Sequence, residues 1–279
     1  MYFLNINKPK GLSSFDVIRE LRKKLKIKQI GHSGTLDPLA SGVLQIAVGK
    51  ATKLLDYLNG DKTYIAKILF GYNSTTYDEE GEKTFVKKPN FTKEELEKTL
   101  KSFIGKTKQK PPIYSAIKVN GKKLCDEIRK DPNQKIEVKE RDIEIYSIDL
   151  IDFANDIATI EVSCKKGTYI RSLGFDLGEK LACGAYIKEL QRTKAGNFKI
   201  ESSNSLNDEK FKKINPLDCL DLEKIEITDE EYGKISNGNF ISNKTAKREG
   251  EILLIKDNKL VSIAKIDDNY IKPKKFFKE

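Results

Sequence analysis

The chain has 279 residues, enough for one large domain or for a large and a small one. It carries 52 Lys and Arg against 42 Asp and Glu, and this net charge of +10 favours nucleic acid as a partner, with a cationic solvated surface as the alternative. One His and four scattered Cys without a CxxC pair argue against a bound metal or a disulfide framework. We see no apolar run that would span a membrane and no signal peptide, so we expect a cytoplasmic protein.

The first 30 residues predict a strand followed by a helix. Residues 2–7 are apolar and then alternate with Asn, which favours a strand. Residues 8–14 predict a turn that ends in a helix N-cap. The following helix places Val17, Ile18, Leu21 and Leu25 on one face, and the Lys and Arg of its other face indicate a solvated surface.

Residues 31–42 (Gly-His-Ser-Gly-Thr-Leu-Asp-Pro-Leu-Ala-Ser-Gly) predict a loop of unusual backbone shape, because they include three glycines and a proline. Residues 43–48 are apolar and predict a buried strand. A loop anchored by such a strand suits the presentation of one carboxylate, Asp37, as a nucleophile or base. From these residues alone, an ordinary turn started by Asp37-Pro38 is the simpler interpretation.

Further along, residues 51–58 predict a short helix, residues 62–71 a strand and residues 73–81 a polar loop. The strand carries Tyr64, which is either a site residue or an ordinary core aromatic. Thr92 and Glu95 form a capping box that opens another helix.

Residues 101–130 hold nine Lys or Arg against two acids, interrupted by a Pro-Pro-Ile-Tyr stretch that ends at Tyr114. Basic residues beside an aromatic suit contacts with phosphates and with a base or sugar. A solvated basic face explains the same composition equally well.

The second half predicts paired strands at residues 136–153 and 157–164, and then a glycine turn that enters a helix. Arg171 lies near the start of that helix, where a cation gains nothing from the helix dipole, so we expect a compensating anion nearby. After about residue 221, short β-like runs at 252–256 and 260–264 flank a turn and predict a separate, smaller domain.

Residues 31–44 resemble the catalytic motif of the TruB family of tRNA pseudouridine synthases, and the family's catalytic aspartate falls on Asp37. Residues 8–17, 109–121, 165–178 and 184–198 resemble further motifs of the same family. The resemblance extends over about residues 2–200 and is looser beyond them.

The resemblance implies an α+β fold, in which helices flank a large mixed, mostly antiparallel sheet, with a small carboxy-terminal β-rich domain of the PUA type. We expect a catalytic domain at 1–221, with a basic RNA-clamping insertion at about 106–141, and a PUA-like domain at 222–279. Asp37, Tyr64 and Arg171 are the implied catalytic residues, with Arg171 paired to Asp37. The expected substrate or RNA contacts are His32, Leu190, Lys8, Tyr114, Lys118 and Tyr169. For His32, a purely structural role is an equal alternative.

The implied reaction isomerises uridine to pseudouridine at position 55, in the TΨC arm of tRNA, on a base flipped out of the stack. Nothing is oxidised and no group is imported, so we expect no cofactor and no metal. Whether the carboxylate attacks ribose C1′, attacks base C6 or assists a glycal route stays open. We expect a monomer that binds tRNA and needs neither a membrane nor an obligatory protein partner. The alternatives are a non-catalytic tRNA-binding or folding factor and a pseudouridine synthase that depends on a guide RNA.

Overall fold

The computed structural model describes residues 1–115, 117–119, 122–131, 136, 138–245 and 247–277. The α-helices of these residues are α1 (Ser14–Leu25), α2 (Lys93–Lys101), α3 (Leu124–Lys130), α4 (Ile170–Lys180) and α5 (Asp229–Ser236). The 3₁₀ helices are Gly49–Tyr57, Ile200–Ser202 and Pro216–Asp218. The strands are β1 (Tyr2–Lys8), β2 (Ile30–His32), β3 (Ser41–Val48), β4 (Lys62–Phe70), β5 (Tyr72–Ser74), β6 (Lys83–Phe85), β7 (Gly105–Gln109), β8 (Lys118–Val119), β9 (Lys122–Lys123), β10 (Arg141–Ala154), β11 (Ile157–Cys164), β12 (Ala185–Ala195), β13 (Phe198–Lys199), β14 (Asn204–Ser205), β15 (Glu223–Glu226), β16 (Ile241–Ser242), β17 (Glu249–Lys256), β18 (Lys259–Asp267) and β19 (Tyr270–Phe276).

A ten-stranded sheet forms the larger part of the molecule, in the order β14-β1-β3-β12-β4-β11-β10-β7, with β13 beside β12 and β2 beside β3. Its pairs are antiparallel except β1 with β14 and β3 with β12. The predicted mixed, mostly antiparallel sheet is therefore confirmed. The central strands β3, β12 and β4 place the Asp37 loop (residues 33–40) next to Tyr64 of β4.

Helices α1, α2 and α4 cover one face of this sheet because each has an apolar stripe. Helix α1 begins with a capping box formed by Ser13 and Asp16, and Val17, Ile18 and Leu21 are buried beneath it. Helix α2 begins with the predicted Thr92 capping box, which is confirmed.

A second sheet, in the order β15-β17-β18-β19-β16, forms the β-rich carboxy-terminal part. The expected turn between β17 and β18 is present at Asp257 and Asn258, both with positive φ, as the tight turn of a hairpin requires. This sheet has a small core of its own beside α5. Its β17 and β18 also contribute Leu253 and Ile263 to a cluster shared with the ten-stranded sheet.

We call this second core the shared cluster. From the large sheet it includes Phe3, Val43 and Phe198, and from the end of the chain Phe277. The cluster lies on the face of the large sheet that the helices leave uncovered, because neighbouring residues of β3 alternate between the two cores. Burial of these side chains fixes the carboxy-terminal sheet against the back of β3.

Two local predictions are incomplete. Gly31 and His32 belong to β2 rather than to a loop, because β12 pairs only with the start of β3 and β2 satisfies the backbone groups at its other end. Residues 72–74 form a strand paired with β6, and this strand overlaps the start of the polar loop predicted at 73–81. No helix in the described part of the chain is long and apolar enough to cross a membrane.

Candidate active site

Hydrogen bonds with Ser14 and Gly11 hold the Asp37 loop in place. The backbone N–H of Leu36 donates to the Ser14 hydroxyl at 2.8 Å, and that hydroxyl donates to the Leu36 carbonyl at 3.0 Å. The carbonyl of Pro38 accepts from the backbone N–H of Gly11 at 2.7 Å. Leu36 and Leu39 are buried. The carboxylate of Asp37 is therefore presented from a loop with fixed ends.

Arg171 lies between two carboxylates. Its Nε is 2.9 Å from Oδ2 of Asp37, and its Nη1 is 3.4 Å from Oδ2 of Asp78. The first contact is an ion pair without a well-aligned hydrogen bond. The side chains of Arg171 and Asp78 are 5% and 3% exposed, whereas that of Asp37 is 35% exposed. Of these three residues, Asp37 is therefore the one whose side chain is accessible to a ligand.

Two carboxylates, Asp37 and Asp78, provide the anion that was expected near Arg171. The sequence gives no signal for Asp78 beyond its place in a polar loop. Asp78 is fixed by its own turn, since its Oδ1 accepts from the Thr76 hydroxyl and from the backbone N–H of Glu80 at 2.5 and 3.0 Å. These bonds explain how a carboxylate can be buried there.

The surroundings act on Asp37 in opposite directions. Burial raises the pKa of its carboxyl above the ordinary value, Arg171 and Lys8 lower it, and Asp78 raises it. Burial is the largest of these effects, so Arg171 only partly restores the charged form.

Arg171 also connects the site to residues 101–130, which we call the basic segment. Its Nη1 donates to the Thr76 carbonyl at 3.2 Å, and its Nη2 donates to the Tyr114 carbonyl at 2.9 Å. At the entrance to α4, the backbone N–H of Tyr169 donates to the Gln109 side chain, which donates back to the Tyr169 carbonyl, at 2.8 and 3.0 Å. These bonds join residues 109–114 to the amino-terminal end of α4.

A cavity of about 560 Å³ opens above Asp37. Among the described residues, those that line it are Thr35, Leu36, Asp37, Lys62, Tyr64, Ser115, Ile117, Arg141, Gly167, Thr168, Tyr169, Ile170, Arg171 and Leu190. Its volume suits a nucleoside, and its walls combine apolar surfaces with a few charged groups, as is typical of small-molecule sites.

The structure brings together five of the residues expected from the sequence. They are Asp37, Tyr64, Tyr169, Arg171 and Leu190. Tyr64 and Leu190 are almost completely buried and leave only their cavity-facing surfaces open. Burial raises the pKa of the Tyr64 hydroxyl, and the neighbouring Arg192 opposes that rise.

Other expected contacts lie elsewhere. Lys8 is fully buried, and its Nζ donates to the carbonyls of Pro9 and Leu12 at 2.9 and 2.5 Å. This geometry suits support of the Asp37 loop and gives Lys8 no path to RNA. His32 is half-buried on β2, outside the residues that line the cavity.

The basic segment is described only in part. Tyr114 meets Arg171 through its backbone carbonyl, and its side chain packs against the small cluster of Leu124, Ile128 and Val138. The side chain of Lys118 lies outside the described part of the structure.

The sequence of the chain matches two family models. Residues 22–170 match the model described as TruB family pseudouridylate synthase (N terminal domain), and residues 171–215 match that of the tRNA pseudouridylate synthase B C-terminal domain. The chain belongs to the TruB family. As a TruB family member it is a pseudouridine synthase, that is, an isomerase. Its second sheet, which begins at Glu223, lies outside both matched ranges.

Curated relatives extend the TruB match over nearly the whole chain. A tRNA pseudouridine synthase B of Clostridium kluyveri is 41% identical over 287 aligned positions, which cover 98% of each chain. One of Fusobacterium nucleatum is 43% identical and covers 95% of each. The second sheet is therefore part of what these relatives share with it.

Solved structures resemble this TruB chain in fold. A Cbf5-Nop10-Gar1 complex contains a chain with a TM-score of 0.74 and 22% identity, and the match covers 99% of this chain and 85% of that one. An H/ACA RNP bound to a substrate RNA containing 2′-deoxyuridine gives a TM-score of 0.74 at 21% identity, and covers 100% and 85%. These identities support the fold alone.

Proposed function

We propose that this enzyme converts uridine to pseudouridine at position 55, in the TΨC arm of tRNA, with Asp37 as the nucleophile. The observation that carries the proposal is the cavity-facing carboxylate of Asp37, paired with the buried Arg171 and walled by Tyr64 and Leu190. The names of the curated relatives support tRNA as the substrate class.

The reaction breaks the bond between uracil N1 and ribose C1′, turns the base and joins C5 to C1′, after which C5 loses a proton. Asp37 supplies the electron pair that holds the nucleoside while the base turns. Arg171 stabilises the ionised form of Asp37 and orients it, since it contacts the carboxylate at 2.9 Å. Asp78 fixes Arg171 from the other side.

The base would be held between the walls of the cavity. Its target lies inside a folded RNA arm and must be flipped out, which costs a few kcal/mol. Stacking on Tyr64 returns about 1–3 kcal/mol of that cost. Leu190 covers the base from the adjacent strand, because β12 pairs with β4.

Contacts with the RNA backbone would come from the basic surface. Arg141 is exposed at the cavity, and the exposed lysines of β7 lie on the strand paired with β10, which begins at Arg141. Such contacts release counterions, so binding should weaken steeply as salt increases. They also give a monomer enough affinity to act on tRNA without a guide RNA or a protein partner.

The test uses an unmodified tRNA transcript that carries tritium at C5 of its uridines. The enzyme should release one tritium per tRNA, and replacement of U55 by cytidine in the transcript should abolish the release. Asp37→Asn should stop release and keep RNA binding. The matched control is Asp152→Asn, an exposed strand residue, which should behave as the wild type.

Three results would contradict the proposal. Release that persists in Asp37→Asn would exclude this carboxylate as the nucleophile. Release from the U55-substituted transcript would place the target elsewhere. A wild-type chain that binds tRNA and releases nothing would favour a binding or folding factor, or a synthase that needs a guide RNA.

A further inference from the structure

Arg192 is a buried arginine that has no carboxylate partner among the described residues. It is 1% exposed. Its Nε donates to the Val43 carbonyl at 2.7 Å, and its Nη2 donates to the Gly34 carbonyl at 3.2 Å. Its Nη1 has no hydrogen-bond partner in the described part of the molecule. A buried guanidinium normally has an acidic partner, whereas Arg192 is held by two carbonyls and lies beside the Tyr64 hydroxyl.

A second cation lies beside it. The Nζ of Lys62 and the Nη1 of Arg192 are 3.2 Å and 3.9 Å from the point that a Cβ on Gly34 would occupy. Any larger residue at Gly34 would press against the lysine. Burial and Arg192 lower the pKa of Lys62 to about 8, and no salt bridge of Lys62 is found within the described residues. Two like charges are thus held close together, and none of the carboxylates described in the structure forms a salt bridge with either.

The two cations are placed next to the proposed nucleoside site. Lys62 lines the same cavity as Asp37, at the end of β4 that carries Tyr64. Arg192 is paired directly opposite Tyr64 in the sheet. Arg192 is buried and is not among the residues that line the cavity, so Lys62 is the cation of this pair that a nucleotide resting on Tyr64 would meet.

We propose that Lys62 binds the phosphate that adjoins the flipped-out uridine, with Arg192 as a buried cation behind it. The proposal rests on the function proposed above, since it assumes an RNA nucleotide in the cavity. A phosphodiester offers one negative charge and two acceptor oxygens, one of which could accept from the Nζ of Lys62, and its charge would offset that of the two neighbouring cations. Contact with this phosphate would fix the ribose above Asp37 by its backbone as well as by its base.

The experiment combines a changed side chain with a changed phosphate. Stem-loop RNAs carry a single methylphosphonate, which removes one backbone charge, either 5′ or 3′ of the target uridine. Affinity is measured for a protein with Asp37→Asn, which prevents turnover, and for the same protein with Lys62→Gln or Lys62→Arg added. Lys67→Gln is the matched control, because Lys67 lies on the same strand and is paired with Glu189 at 2.8 Å.

Lys62→Gln should weaken binding of the unmodified RNA by about tenfold or more, and Lys62→Arg should restore most of it. One of the two methylphosphonates should weaken binding to the Lys62 protein by a similar factor and have little further effect once Lys62 is Gln. Lys67→Gln should change neither value.

The proposal would be overturned if both methylphosphonates weakened RNA binding by the same factor, and if this factor were unchanged by Lys62→Gln. A coupling that appears with Arg141→Gln instead would also overturn it, because Arg141 lines the other side of the cavity next to Tyr169. The binding assay is independent of catalysis. A wild-type enzyme that releases no tritium therefore refutes the proposed function, while an active enzyme without coupling refutes only the phosphate site.

Discussion

Replacement of Arg171 by Gln tests the electrostatics of the site most directly. The change removes the cation that lies 2.9 Å from Asp37 and 3.4 Å from Asp78. Asp78 is 3% exposed and would be left as a buried charge without its partner. Breaking a buried pair in this way costs about 3–5 kcal/mol of unfolding free energy. Asp37 adds little to this loss, because a third of its side chain is exposed and solvent screens its charge.

Denaturation in urea at neutral pH measures the loss, and a companion variant identifies its cause. Asp78→Asn in the Arg171→Gln background removes the unpaired charge, so the double variant should be more stable than Arg171→Gln alone. Both proteins should release no tritium. A loss below about 1 kcal/mol for Arg171→Gln, or no relief from Asp78→Asn, would refute the claim that Asp78 is a buried ion held by Arg171.

Three further predictions concern pH and backbone geometry. RNA affinity should fall as pH rises through about 8 in the wild type and much less in Lys62→Gln, because the lowered pKa of Lys62 removes its charge there. Burial, Glu179 and Glu140 raise the pKa of Asp176 from 3.8 to about 6, so the stability of the fold falls as pH rises between these two values and stays lower above them. Asp176→Asn should therefore add about 1 kcal/mol in urea unfolding at pH 8, after allowance for screening, and nothing at pH 4. Gly42→Ala should cost about 2–4 kcal/mol, since its Cβ would lie 2.2 Å from a backbone oxygen, whereas Gly11→Ala, in open space, should cost about 1 kcal/mol; equal melting temperatures would contradict this.

Much of the fold could be predicted because local patterns and tertiary packing agree. The alternation in β1 and β3, the capping boxes of α1 and α2 and the turn between β17 and β18 all follow from short-range chemistry. Strand β2 could not be predicted in the same way. It forms because a distant strand, β12, leaves part of β3 unpaired, and no local sequence pattern carries that information.

The site residues also divide into those that the sequence predicts and those that only the folded structure shows. Asp37 and Arg171 were found through long motifs, and the requirement for an anion near Arg171 follows from its place at the start of α4. Asp78 and the closeness of Arg192 to Lys62 could not be found, because their importance depends on which groups surround them after folding. The contact of Lys8 with RNA was implied by the resemblance alone, and in the structure its side chain is buried with its Nζ bonded to the carbonyls of Pro9 and Leu12.

The shared cluster sets the length that an RNA needs in order to contact both the cavity and the carboxy-terminal sheet. Val43 belongs both to the strand that follows the Asp37 loop and to the cluster that fixes the carboxy-terminal sheet. Domains joined by a flexible tether would sample many separations, and a ligand that touches both would lose that freedom on binding. In this protein, folding itself fixes the distance between the Asp37 loop and the carboxy-terminal sheet. An RNA that reaches from the cavity to the far sheet therefore meets two surfaces at a preset distance, and its own length decides whether it fits.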